Sequence, residues 1–155
     1  MGGLSLGKYL TVWFLAFLAL WAGITAWRWE IIDSPPYWDS AMGLFLEANF
    51  LAETGFDYRR LWFEERRFIE GGAAIYLTSV LPTVVAVLMT SLDTPREVFI
   101  AYHLFTFACA AGVAVLVVAI CRPWAGWLGA ALIGAAVLTT PVFSTQIDML
   151  GMDLP

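Results

Sequence analysis

Along the 155 residues, long apolar stretches alternate with one polar insert. Four stretches are almost free of charge, at about 9–29, 73–92, 97–121 and 124–143. Apolar runs of roughly 18 or more residues are long enough to cross a bilayer as helices. The pattern therefore predicts an all-α, polytopic transmembrane helical bundle. Trp27 and Trp29 close the first stretch, where amphipathic rings favour the headgroup region. Lys8 before an apolar run begins like a secretory signal, but Trp27-Arg28-Trp29 makes a poor cleavage site, so a retained membrane helix is expected.

The polar insert, about 30–72, opens on Pro35-Pro36, which stops any helix. Asp39 or Ser40 then suits an N-cap, and Met42, Phe45, Leu46, Phe50 and Leu51 recur at helical spacing. Glu47 and Glu53 are read as surface positions, and Gly55 as the stop. This predicts an interfacial helix over 41–54. The run "FDYRRLWFEERRFIEGG" predicts a second one over about 60–69. Further along, Pro95 can open the helix that follows it, and "CRPW" divides the last two apolar stretches.

Composition sharpens the picture in three places. Charged residues are 14% of the chain and hydrophobic ones 61%, against about a quarter charged in soluble domains. The net charge of −5 offers no basic patch, so no nucleic-acid partner is expected. Nine of the thirteen acids lie between Glu30 and Glu70, and the apolar stretches carry almost none. A transporter more often places charge inside its bundle, where it is costly. Cys109 and Cys121 fall on one predicted helix, roughly 18 Å apart, too far for a disulfide. His103, alone on an apolar helix, reads as a packing histidine.

Asp39 after the first membrane helix, Ala48 along the surface helix, Gly55 followed by Phe56 to Tyr58, and much later "TPVFSTQIDMLGMDLP" together carry a resemblance. In this order they resemble the GT-C superfamily of membrane glycosyltransferases. The nearest branch is the protein mannosyltransferase and aminoarabinose transferase group, glycosyltransferase family 39-like. The chain departs from that pattern with Asp39-Ser40 at the first acid and "EGGAAIY" before the next apolar segment.

The resemblance implies transfer of a sugar from a polyprenyl-phosphate-linked donor to a lipid, glycan or protein acceptor. It implies a multi-pass protein among membrane lipids, in a bacterial inner (plasma) membrane, with the site facing the periplasm or exterior. Asp39 would be the catalytic base, and Asp153, with Asp148 near it, the second-loop acid that forms the site or binds a metal. A divalent metal ion stays open as a cofactor. Arg59, Arg60, Arg66 and Arg67 are the candidates for gripping the donor phosphate, since guanidinium groups take phosphate oxygens two at a time. The chain would correspond to the N-terminal part of such an enzyme.

Asp39 and Asp153 can share a site only if an even number of crossings separates them. One of the three intervening stretches must then fail to cross, and 73–92, with Gly71-Gly72, Pro82 and the five residues Thr78, Ser79, Thr83, Thr90 and Ser91, is the choice. The arginines around the first loop would alone put that loop in the cytoplasm. They are interleaved with acids, and the expectation sets the rule aside. The competing class is a non-enzymatic polytopic membrane protein, a transporter fragment or an assembly subunit. Asp39 as a plain N-cap is compatible with either.

Overall fold

The computed structural model describes residues 6–35, 44–63, 80–141 and 144. Among these the chain is all-helical: α1 (Leu6–Trp27), a short 3-10 turn (Trp29–Ile31), α2 (Phe45–Glu53), α3 (Tyr58–Phe63), α4 (Val80–Ser91) and α5 (Pro95–Thr139). Two of them, α1 and α5, are long and apolar enough to cross a membrane.

The helix ends follow local chemistry. Gly55 sits at φ 66° just past α2, and the Phe56 N–H bonds the Leu51 carbonyl at 2.8 Å. That six-to-one closure satisfies an end carbonyl and needs the left-handed backbone that glycine adopts without strain. Helix α3 begins earlier than the charge pattern predicts, because Asp57 supplies the cap: its Oδ1 accepts from the Arg60 N–H at 3.0 Å. At α5, Thr94 and Glu97 form a reciprocal cap, with the Glu97 N–H donating to Thr94 Oγ1 at 3.3 Å and the Thr94 N–H to Glu97 Oε2 at 3.0 Å. Pro95 follows as the first helical residue, where its missing N–H costs nothing. Thr94→Ala is expected to cost about 1 kcal/mol, seen as faster amide exchange at 96–98 with the rest of α5 unchanged.

Helix α5 is a hairpin, not a rod. Gly126 has φ 66° and ψ −178°, three residues after Pro123. This backbone region is essentially restricted to glycine. The two arms then fold back on each other. A Cβ on Gly134 would lie 2.8 Å from Val118 Cγ2, so the arms meet where a side chain is missing. Ala110, Ala111 and Ala114 of the first arm and Leu138 of the second share one buried cluster with Ile24 of α1. The second arm, 127–139, rises only about 20 Å. The sequence pattern had assigned separate helices to 97–121 and 124–143; the chain stays helical past "CRPW", and the reversal falls on Gly126.

Three contacts orient α1 beside this hairpin. Trp13 stacks on Trp127 at the turn, centroids 5.9 Å apart. Trp21 donates its indole N–H to the Leu104 carbonyl of the first arm at 3.0 Å. Arg28, just past α1, donates to Ser144, just past the second arm. Helix α1 therefore runs parallel to the second arm and antiparallel to the first.

A second core joins the shorter helices. Leu44, Ala48 and Leu51 of the α2 region pack with Leu81, Val85 and Ala86 of α4 and with Val98 and Tyr102 of α5. The Tyr58 and Thr83 hydroxyls meet at 2.7 Å, fixing α3 on α4. This corrects the sequence reading of the α2 face. Leu46 is exposed, and Glu47, read as a surface acid, is only 4% exposed. On a helical wheel Leu44, Glu47, Ala48 and Leu51 fall within one stripe of about 100°, and that is the stripe α4 covers.

Candidate functional site

The two ends of the assembly differ in chemistry. At one end lie Lys8, the α5 turn, and Arg122, whose guanidinium stands 4.4 Å over the Trp127 ring. At the other end three chain segments converge. The Arg96 guanidinium pairs with the Asp33 carboxylate at 2.9 Å, tying the start of α5 to the segment after α1. Arg28 Nη2 lies 2.5 Å from Ser144 Oγ, tying that same segment to the exit of the hairpin. The Asp33–Arg96 pair is exposed and worth little energy, so it reports proximity more than stability.

A cleft of about 440 Å³ opens where α2, the end of α4 and the start of α5 meet. Phe45, Met89, Val98 and Phe99 make it apolar, and Asn49, Asp93 and Thr94 add polar groups. Asp93 and Thr94 belong to the short link before Arg96, which pairs with Asp33, so the cleft lies at the convergent end. An apolar concavity with a few polar groups is the usual form of a small-molecule site. Phe45 holds its place by edge-on contacts with Phe99 and Tyr102, each with centroids at 5.7 Å.

Of the residues that sequence reasoning singled out, Asp39, Asp148, Asp153, Arg66 and Arg67 lie outside the described residues. Arg59 and Arg60 are on α3, both exposed, with the Arg60 guanidinium 5.8 Å from the centre of the Phe50 ring. Among the described residues no group of three or more His, Cys, Asp or Glu side chains stands close enough to hold a metal ion. His103 is fully buried, packed on Phe107, with Nδ1 3.0 Å from the Phe99 carbonyl.

No family model, curated protein or solved structure matches this chain.

The case for a site therefore rests on geometry alone. Three residues matter that the sequence did not bring forward. Arg28 and Ser144 are 116 positions apart, and nothing local to either marks the other as its partner. Glu47 was misplaced because its charge outweighed its wheel position. A carboxylate buried on a helix face is costly unless other groups compensate it, so its presence in the polar insert marks a specific local environment.

Proposed function

We propose that this chain is a multi-pass membrane protein that forms the first part of a GT-C-like glycosyltransferase. It would act on a polyprenyl-phosphate-linked sugar at the outer membrane face. The observation that carries this reading is the Arg28–Ser144 contact. The reaction needs the first loop, with Asp39, and the second, with Asp148 and Asp153, on the same side. Arg28 leads into the first loop and Ser144 into the second, and the contact joins them.

The Asp33–Arg96 pair supports the same topology. It returns the chain after the polar insert to the end from which it left. Helix α4 packs against α2 and the start of α5 in one buried core, so protein covers its apolar face. On this reading α1 and the two arms of α5 cross, and α4 lies within the outer loop against α2. Lys8 and Arg122 then face the cytoplasm, in keeping with the positive-inside preference. The Arg28 guanidinium stands 3.9 Å from the centre of the Trp27 ring and that of Arg60 5.8 Å from the Phe50 ring, and such contacts at the interface would relieve the conflict that their position creates with that rule.

The chemistry follows from the placement. Asp39 would take the acceptor's proton as the new glycosidic bond forms at the sugar's anomeric carbon. The bond from that carbon to the lipid phosphate breaks, and the phosphate leaves with the electron pair. Arginines at the interface would stabilise its charge. The cleft beside α2 would receive the reacting groups at the boundary between lipid and water, with Asp153 and Asp148 approaching from the second loop. A divalent metal held by those acids remains part of the proposal.

Single cysteines introduced at Ser34, Thr94, Ser144 and Trp124, in a background with Cys109 and Cys121 replaced by alanine, test the topology in intact cells. A membrane-impermeant maleimide is expected to label the first three from outside and Trp124→Cys only after the membrane is opened. Labelling of Ser34→Cys and Ser144→Cys from opposite sides would end the proposal.

A further inference from the structure

The cleft between α2, the end of α4 and the start of α5 joins aromatic rings to an unpaired carboxylate. Phe45 and Phe99 line it with centroids 5.7 Å apart and ring planes inclined at 65°. Ala52 and Met89 extend the apolar lining. Asp93 lines it as well, and among the described residues its carboxylate forms no hydrogen bond or ion pair.

Two further carboxylates are bonded to lining residues. Asn49 donates its amide N–H to Glu53 Oε1 at 2.8 Å, and Thr94 donates its backbone N–H to Glu97 Oε2 at 3.0 Å. The cations of these elements are engaged elsewhere. Arg96 is held by Asp33 at 2.9 Å. Arg60 stands over Phe50, which lies roughly 130° around α2 from the lining positions Phe45, Asn49 and Ala52. Among the described residues no basic side chain lines the cleft. The start of α5 adds a partial positive charge of about half a unit, which three carboxylates outweigh.

We propose that this cleft binds an organic ammonium carrying an apolar group, with the cationic head on Asp93 and the apolar part against Phe45, Phe99 and Met89. Aromatic rings attract a cation within about 6 Å through their negative faces, and Asp93 supplies the counter-charge. The volume of about 440 Å³ suits a small molecule. The alternatives fit less well. An anionic ligand, the donor phosphate included, would meet three carboxylates. An uncharged apolar ligand would desolvate Asp93 without giving it a partner, which is costly. The cleft's lining alone carries this assignment, and the transferase reading does not enter it. If that reading also holds, the occupant belongs to the acceptor side of the reaction.

The test is calorimetric titration of the full chain in nonionic detergent at physiological ionic strength, with titration into detergent alone subtracted. Three probes share one aromatic ring: benzyltrimethylammonium, benzyl alcohol and benzenesulfonate. The ammonium is expected to bind about tenfold or more tighter than the alcohol, and the sulfonate to show no saturable binding. Asp93→Asn keeps the side chain's size, removes its charge, and is expected to weaken ammonium binding about tenfold, as loss of a charge-assisted contact does. Ala52→Leu narrows the cleft without touching Asp93 and is expected to weaken it as well. Glu30→Gln, which removes an exposed acid outside the cleft, should leave it unchanged. Equal affinity for benzyl alcohol would mean an apolar cleft indifferent to charge and overturn the assignment. Preference for the sulfonate, no saturable binding of any probe, or undiminished ammonium binding in Asp93→Asn or Ala52→Leu would overturn it too. The parent chain's choice among the three probes decides the matter even if a variant fails to fold. Binding is read without sugar transfer, so the ammonium site and the transferase reading can fail separately.

Discussion

On the proposed transferase function, Asp39→Asn is expected to lower sugar transfer by ~10²–10⁴-fold while leaving helix content and thermal midpoint unchanged. The substitution separates two roles that one carboxylate can fill. Asparagine caps a helix about as well as aspartate, so a purely structural Asp39 would tolerate it. A general base cannot, because the amide does not accept a proton at neutral pH. Asp39→Ala loses both roles, and the additional cost of about 1 kcal/mol should then appear in stability. Transfer is followed as polyprenyl phosphate released from the donor with acceptor present. Turnover in Asp39→Asn equal to that of the parent would remove Asp39 from the chemistry and leave it as a cap.

The helices were legible because their signals are local. Uncharged runs announced α1 and α5, Gly55 announced the end of α2, and Pro95 announced the start of α5. Each of these depends on a residue and its near neighbours. The turn of the hairpin was half legible. Pro123 drew attention to "CRPW", yet a proline near a helix end can be absorbed, and the residue that reverses the chain is the one able to hold φ 66° with ψ −178°.

The packing faces were harder to read. Of the five apolar residues chosen by spacing, Phe45 and Leu51 are buried and Phe50 packs on the core, Met42 lies outside the described residues, and the reading failed where Leu46 points outward and Glu47 inward. An amphipathic helix in an interface has apolar neighbours on more than one side, so composition alone does not say which side meets protein. The wheel position of Glu47, at the edge of the stripe next to Leu51 and Leu44, was available as a signal, and its charge overrode it. The junctions Arg28–Ser144 and Asp33–Arg96 had no local signal at all. They arise because α1 and the hairpin arms lie side by side, a property of the whole assembly. The candidate residues are thus readable as residue types in loops, and the junctions that join the helix ends are readable only in three dimensions.

That convergence depends on one backbone position. Gly126→Ala is expected to cost about 1–3 kcal/mol, because it forces an L side chain into a region that essentially only glycine occupies. The added Cβ meets no neighbour within 4 Å, so the cost is conformational and not steric crowding. Relief of the strain would re-aim the second arm, which packs through Ala130, Gly134 and Leu138 against α1 and the first arm. Ser144 would then move from Arg28, and the two loops would lose their common anchor. The measurement uses the pair Arg28→Cys and Ser144→Cys in a background without Cys109 and Cys121. Cross-linking by a short bis-maleimide, whose span replaces the length of the arginine side chain, is expected with Gly126 present and is expected to fall when alanine replaces it, along with the thermal midpoint in detergent. Gly112→Ala is the control: it sits at an ordinary helical φ with open space around it, and should be neutral or slightly stabilising. An unchanged midpoint and cross-link yield in Gly126→Ala would show that the reversal does not depend on glycine there, and the hairpin would need another cause.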